Sequence, residues 1–131
     1  MRLFIAFTSA VLLGVGCYHG PSLQKFGPAQ DPEGIGVDLR LRHAHVLGEL
    51  LEVQDSSLLV LTDVNQVVSV PVASIRHGLF HDLGEQLGPG LDRRAALSRL
   101  RNLSRFPAGL TPALRSRLLA AYDQTEVLVV Q

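Results

Sequence analysis

Residues 37–80 read VDLRLRHAHVLGELLEVQDSSLLVLTDVNQVVSVPVASIRHGLF, and this stretch decides the fold. Val37-Asp38-Leu39-Arg40-Leu41-Arg42 alternates strictly, so Val37, Leu39 and Leu41 share one face and the charged residues the other. His43-Ala44-His45 reads as a turn. Val46 to Gln54 predicts a longer second strand, with Gly48 as the place for a bend or bulge. Asp55-Ser56-Ser57 turns the chain into an apolar third strand, Leu58 to Thr62. After the turn Asp63-Val64-Asn65-Gln66 comes a fourth strand, Val67 to Val70. Pro71 to Ser74 interrupts the run, and Ile75 to Phe80 supplies a fifth strand that can close the sheet. Short strands separated by turn signals at this spacing predict a small barrel or sandwich.

The order of these features resembles the SH3-like small barrels and, within them, the Sm-like pattern. The residues that carry the resemblance are Val37-x-Leu39, Gly48-Glu49-Leu50, Asp55-Ser56-Ser57-Leu58 and Val70-Pro71-Val72-Ala73-Ser74-Ile75. The resemblance implies a fold more than a function. Sm-like proteins read RNA bases with an Asn shortly after the Asp-containing turn and with an Arg/Lys-Gly pair near the last strand. Here Leu58 and Leu59 stand where that Asn would be, and Arg76-His77-Gly78 only approximates the pair. Twelve Lys+Arg balance twelve Asp+Glu, so the chain lacks the cationic excess that phosphate contacts need. No nucleic-acid partner is expected.

Towards the C-terminus, His81 to Gly90 holds three Gly and one Pro and reads as a loop. Leu91 to Phe106 has helical spacing, with Ala96, Leu97, Leu100 and Leu103 on one face and Arg93, Arg94, Arg101 and Arg105 on the adjacent one. Pro107-Ala108-Gly109 breaks that helix. Thr111 is a good N-cap with Pro112 at the first helical position, and Leu114, Leu118, Ala121 and Tyr122 form the next apolar stripe. Glu126 to Val130 is a β-prone tail suited to adding to a sheet edge or covering it. The expected fold class is therefore α+β: a five-stranded SH3-like barrel over 37–80, then a helical extension over 81–131 packed on it.

Towards the N-terminus, Arg2 precedes an uncharged apolar run from Leu3 to Val15, and no acid appears before Asp31. This is the layout of a signal peptide over 1–16, too short to span a bilayer, which takes ~20 apolar residues. Leu13-Gly14-Val15-Gly16 leads into Cys17, the one cysteine of the chain. The arrangement resembles the lipobox of bacterial lipoproteins, although Gly14 stands where that family prefers Leu. The resemblance implies cleavage before Cys17 and acylation of Cys17, hence a membrane partner held through lipid. Tyr18 rather than Asp after the cysteine points, by the same analogy, to the outer membrane facing the periplasm. Ordinary signal cleavage after the small residues Gly14 and Gly16 is the rival reading. Residues 17–36 would then form the lipidated cysteine and a Gly/Pro-rich tether. Its nineteen residues after Cys17 have a flexible-chain reach of ~24 Å.

One cysteine excludes an internal disulfide framework, and the absence of Trp with only two Tyr weakens a sugar-binding reading, which commonly needs aromatic platforms. His43 with His45, and His77 with His81, are the candidate metal-ligating pairs, with Asp82 as an accompanying acid. Glu49 and Glu52 lie three apart on one strand and so face opposite sides unless a bulge realigns them. Residues 76–118 hold eight basic and three acidic residues, while 18–75 hold three basic and seven acidic. Arg94, Arg101 and Arg105 are therefore the candidate basic surface, towards anionic headgroups, an acidic partner or simply solvent. No nucleophile elbow, phosphate loop or metal-protease spacing occurs, so no cofactor and no catalysis are expected. The expected function is a membrane-anchored envelope lipoprotein acting as a binding or assembly module. The alternatives are a small metal-dependent hydrolase, which needs the histidines to converge, and a peptidoglycan-binding module.

Overall fold

The structure, a computed structural model, describes residues 34–131. The expected signal peptide, Cys17 and the expected tether up to residue 33 lie outside the described residues. Nine elements beyond one 3-10 turn follow in order: β1 (Gly36–Arg40), β2 (His45–Val53), β3 (Ser57–Thr62), β4 (Val67–Pro71), the 3-10 turn Val72–Ser74, β5 (His77–Phe80), β6 (Gly84–Leu87), α1 (Arg93–Leu103), α2 (Pro112–Ala121) and β7 (Leu128–Val129). The fold is α+β, with one seven-stranded sheet in the order β6-β5-β1-β2-β3-β4-β7. All pairings are antiparallel except β4 with β7.

The five expected strands form within a residue or two of their predicted limits, but they do not close into a barrel. After the 3-10 turn, β5 returns to pair with β1, not with β4. The sheet stays open, and each end gains a further strand. The segment 84–87, expected to be a loop, is β6, formed where Asp82 and Gly84 adopt positive φ and fold the chain back on β5. Only Leu87 of β6 is buried, so no apolar alternation marked it. The β-prone tail adds to the other edge as β7, with Val68 opposite Leu128.

The sheet has two buried sides. On the inner side, Val37, Leu39, Val46, Leu50, Leu58, Val60, Val70 and Phe80 pack together with Ala96 and Leu100 of α1. On the outer side, Leu51, Leu59, Leu61 and Val67 meet Phe106 and Leu118 and Leu119 of α2. The central strand β3 faces both clusters, which explains its unbroken apolar run. Burying each of these Leu side chains contributes roughly 1.5–3 kcal/mol of transfer free energy.

Local chemistry sets the helix limits. The Asp92 carboxylate accepts from the Ala95 amide and caps α1; the Thr111 hydroxyl accepts from the Leu114 amide and caps α2, with Pro112 first in the helix. Helix α1 stops at Leu103, three residues before the predicted end, because the chain then turns extended. The Arg105 and Phe106 amides donate to the Leu50 and Leu51 carbonyls.

At this point β1 has stopped pairing with β2, and β2 is bulged against β3. Leu50 opposes Val60 and Glu52 opposes Leu59, so Leu51 is the extra residue. The bulge falls three residues beyond Gly48. Gly48 instead serves a close approach: a Cβ there would lie 2.0 Å from the Leu61 carbonyl oxygen. The extra residue also reverses the expectation for the two glutamates. Glu49 pairs across from Leu61 and Glu52 from Leu59, both on the outer face.

Candidate functional site

The outer face divides in two along β2. Over the C-terminal part of β2, β3 and β4 lie α2 and the segment between the helices. Over β5, β1 and the start of β2 nothing in the described residues lies on the sheet. Register arranges this side of the sheet in three cross-strand rows: His45–Arg40–His77 and Leu47–Asp38–Leu79, which are uncovered, and Glu49–Gly36–His81, whose Glu49 end is buried. The third row joins through the His81 amide, which donates to the Gly36 carbonyl.

Three of the four candidate histidines therefore share one face; His43 sits exposed in the β1–β2 turn, while His45 opens β2 rather than lying in that turn. Each histidine on the face has its own carboxylate. His45 Nε2 lies 2.7 Å from Asp38 Oδ1, His77 Nδ1 lies 2.6 Å from Glu85 Oε1, and His81 Nε2 lies 3.3 Å from Asp82 Oδ2. Arg40 Nε sits 3.7 Å from Asp38 Oδ1. The histidines stand in separate rows or on opposite sides of Arg40. Among the described residues no three His, Cys, Asp or Glu side chains gather as a metal site.

The middle row is the apolar part of this face. Leu47 and Leu79 are 40% and 38% exposed on either side of Asp38. A pocket of about 330 Å³ lies beside Leu79, lined also by Gly36, Asp38, Gly48, Phe80 and His81.

At the covered end of the same face lies a buried ion pair. Arg105 Nε and Nη2 donate to Glu49 Oε1 and Oε2 at 2.6 and 2.8 Å, and both side chains are at most 4% exposed. Glu49 Oε1 also accepts from the Gly34 amide at 2.9 Å. This corrects the expectation for Arg105: it is no part of a basic surface, because its guanidinium is buried against Glu49 on the outer face of the sheet. Burial pushes the Tyr122 phenol above its ordinary value; the nearby Arg105 charge opposes that rise and the Glu49 charge adds to it.

Glu52 is the looser counterpart, with Arg115 Nη2 3.8 Å from its Oε2. Sequence reasoning missed Gln124. Its Oε1 accepts from the Val67 amide at 2.6 Å and its Nε2 donates to the Val67 carbonyl at 3.0 Å, so a side chain does the work of a strand at the start of β4. No local pattern signals that role.

Arg94 and Arg101 do remain on the surface. They lie on one side of α1 and line a groove of about 720 Å³ with Ser98, Leu97, Asp92 and Asp55. Among the described residues no helix is long and apolar enough to cross a membrane. No protein-family model, curated protein or solved structure matches this chain, so the site is read from its own residues.

Proposed function

We infer that this chain is a non-catalytic binding module of a bacterial cell envelope, tethered to the membrane through acylated Cys17, and that it docks a protein partner on its uncovered sheet face. The observation that carries the docking is the middle row: two half-exposed leucines flanking a carboxylate, framed by His45, Arg40, His77 and His81. An aliphatic centre with a charged rim suits a protein surface. The lipid tether rests on the apolar run, the small residues and Cys17. The meander with its fifth strand returning beside the first after a 3-10 turn supports the likeness to SH3-like modules, in an open form.

Photo-crosslinking tests the reading. A crosslinker at Leu79 in the full chain should capture one envelope protein, and the same group at Arg117 of α2 should not. Equal yields from the two positions, or capture unaffected by Leu47→Glu, would remove the docking face. The intact mass of the mature chain tests the tether: cleavage before Cys17 plus acyl chains supports it, and an unmodified soluble N-terminus overturns it.

A further inference from the structure

The groove along α1 has a charge pattern that the docking face does not use. Arg94 and Arg101 are seven residues apart, which places them on one side of the helix and roughly 10 Å apart along its axis. Ser98 lies between them in the helix and lines the same groove. Among the described residues the Arg94, Arg101 and Asp55 side chains have no hydrogen bond or ion pair. Asp92 is partly engaged, since its Oδ1 accepts from the Ala95 amide at 3.2 Å. The remaining basic residue that faces β6, Arg99, is already bonded to Gln86 at 3.0 Å.

The lining thus holds two cations and two anions. A plain dianion would gain from the arginines but meet Asp55 and Asp92. A ligand with one negative and one positive group meets both sets favourably, which is electrostatic complementarity used for selection. The guanidinium fork matches the oxygens of a phosphate, and a carboxylate of the same lining matches an ammonium. Leu97 and Ala95 are the apolar members of the lining.

We propose that the Arg94–Ser98–Arg101 groove binds the phosphodiester of an amino alcohol, with Arg94 and Arg101 holding the phosphate and Asp55 receiving the amine. This chemistry comes from two sources, a free small molecule or a membrane lipid headgroup. The site does not depend on the docking face or on the anchor, so either can fail without it.

The full chain in detergent micelles is titrated while the Nε–Hε resonances of Arg94 and Arg101 are followed by NMR. The probes are glycerophosphoethanolamine, inorganic phosphate and a short-chain phosphatidylethanolamine. Saturable shifts with glycerophosphoethanolamine, weaker with inorganic phosphate, are expected. Arg94→Gln and Arg101→Gln should each weaken binding roughly tenfold or more, as loss of a charge-assisted phosphate contact does. Asp55→Asn should weaken binding of glycerophosphoethanolamine and strengthen that of inorganic phosphate, a reversal that misfolding cannot produce. Shifts with the lipid assign the membrane as the source, and shifts with the soluble diester alone assign a free ligand. Inorganic phosphate binding as tightly as the diester, or no arginine resonance moving with any probe, would overturn the proposal.

Discussion

The two ends of β2 carry acid–base pairs on the same outer face, yet they live in different solvents. At the start of the strand, His45 meets Asp38 across from β1, with side chains 48% and 30% exposed. Four residues later, Glu49 meets Arg105 with almost no exposure. The chemistry of the partners is similar, and the distances are alike. What differs is the roof: α2 and the segment leading to it cover one end and stop short of the other. Exposed pairs gain little, because water screens them and both side chains lose freedom. A buried pair gains strongly only while both members are present, because either one alone is a charge without water. The covered end thus ties the segment between the helices to the sheet, and the open end leaves its pair half-exposed.

Breaking the covered end should have the largest effect. Arg105→Ala leaves Glu49 buried and uncompensated, and should cost about 3–5 kcal/mol in urea unfolding. An Arg105→Met, Glu49→Leu double variant should recover most of that loss, which would identify the unpaired charge as its cause. Gln124→Ala removes the partner of both backbone groups of Val67 and should cost about 1–3 kcal/mol, since a buried amide and carbonyl are left unsatisfied. The loss should appear as faster amide exchange in β4 and β7.

Asp38→Ala probes the open end and should change unfolding free energy by no more than about 1 kcal/mol. A loss as large as that of Arg105→Ala would erase the contrast between the two ends. The smallest effect concerns Tyr122. Its folded-state value is raised, mainly by burial, so the folded chain holds that proton more tightly than the unfolded one. The stabilisation is complete below the unfolded phenol value and fades as pH rises through the folded one. Tyr122→Phe should flatten that alkaline decline, as read from thermal unfolding across the alkaline range.

Much of the frame was legible in the chain. The alternation at Val37–Arg42 and the turn residues at 55–57 and 63–66 predicted four of the strands closely, because both signals act between neighbours. Thr111 and Pro112 marked the start of α2 for the same reason. The open sheet was not legible: five strands of suitable length suggest closure, and nothing local says that β6 and β7 will extend the edges instead. Nor was β6, whose polar Glu85 and Gln86 look like loop until they lie beside β5. The histidines were found as residues but not as an arrangement, since the rows exist only once β1, β2 and β5 are in register.

By itself the sequence determined where strands and helices start, which residues turn or cap them, and which sides are apolar. These depend on backbone geometry and side-chain chemistry within a few residues. Only the tertiary structure decided that Glu49 and Glu52 share a face, that Arg105 is buried 56 residues from its partner, and that the leucines beside Asp38 stay uncovered. The first follows from one bulged residue, and the others from where a helix happens to end over a sheet. Burial is a property of what lies across space, and spacing along the chain does not carry it.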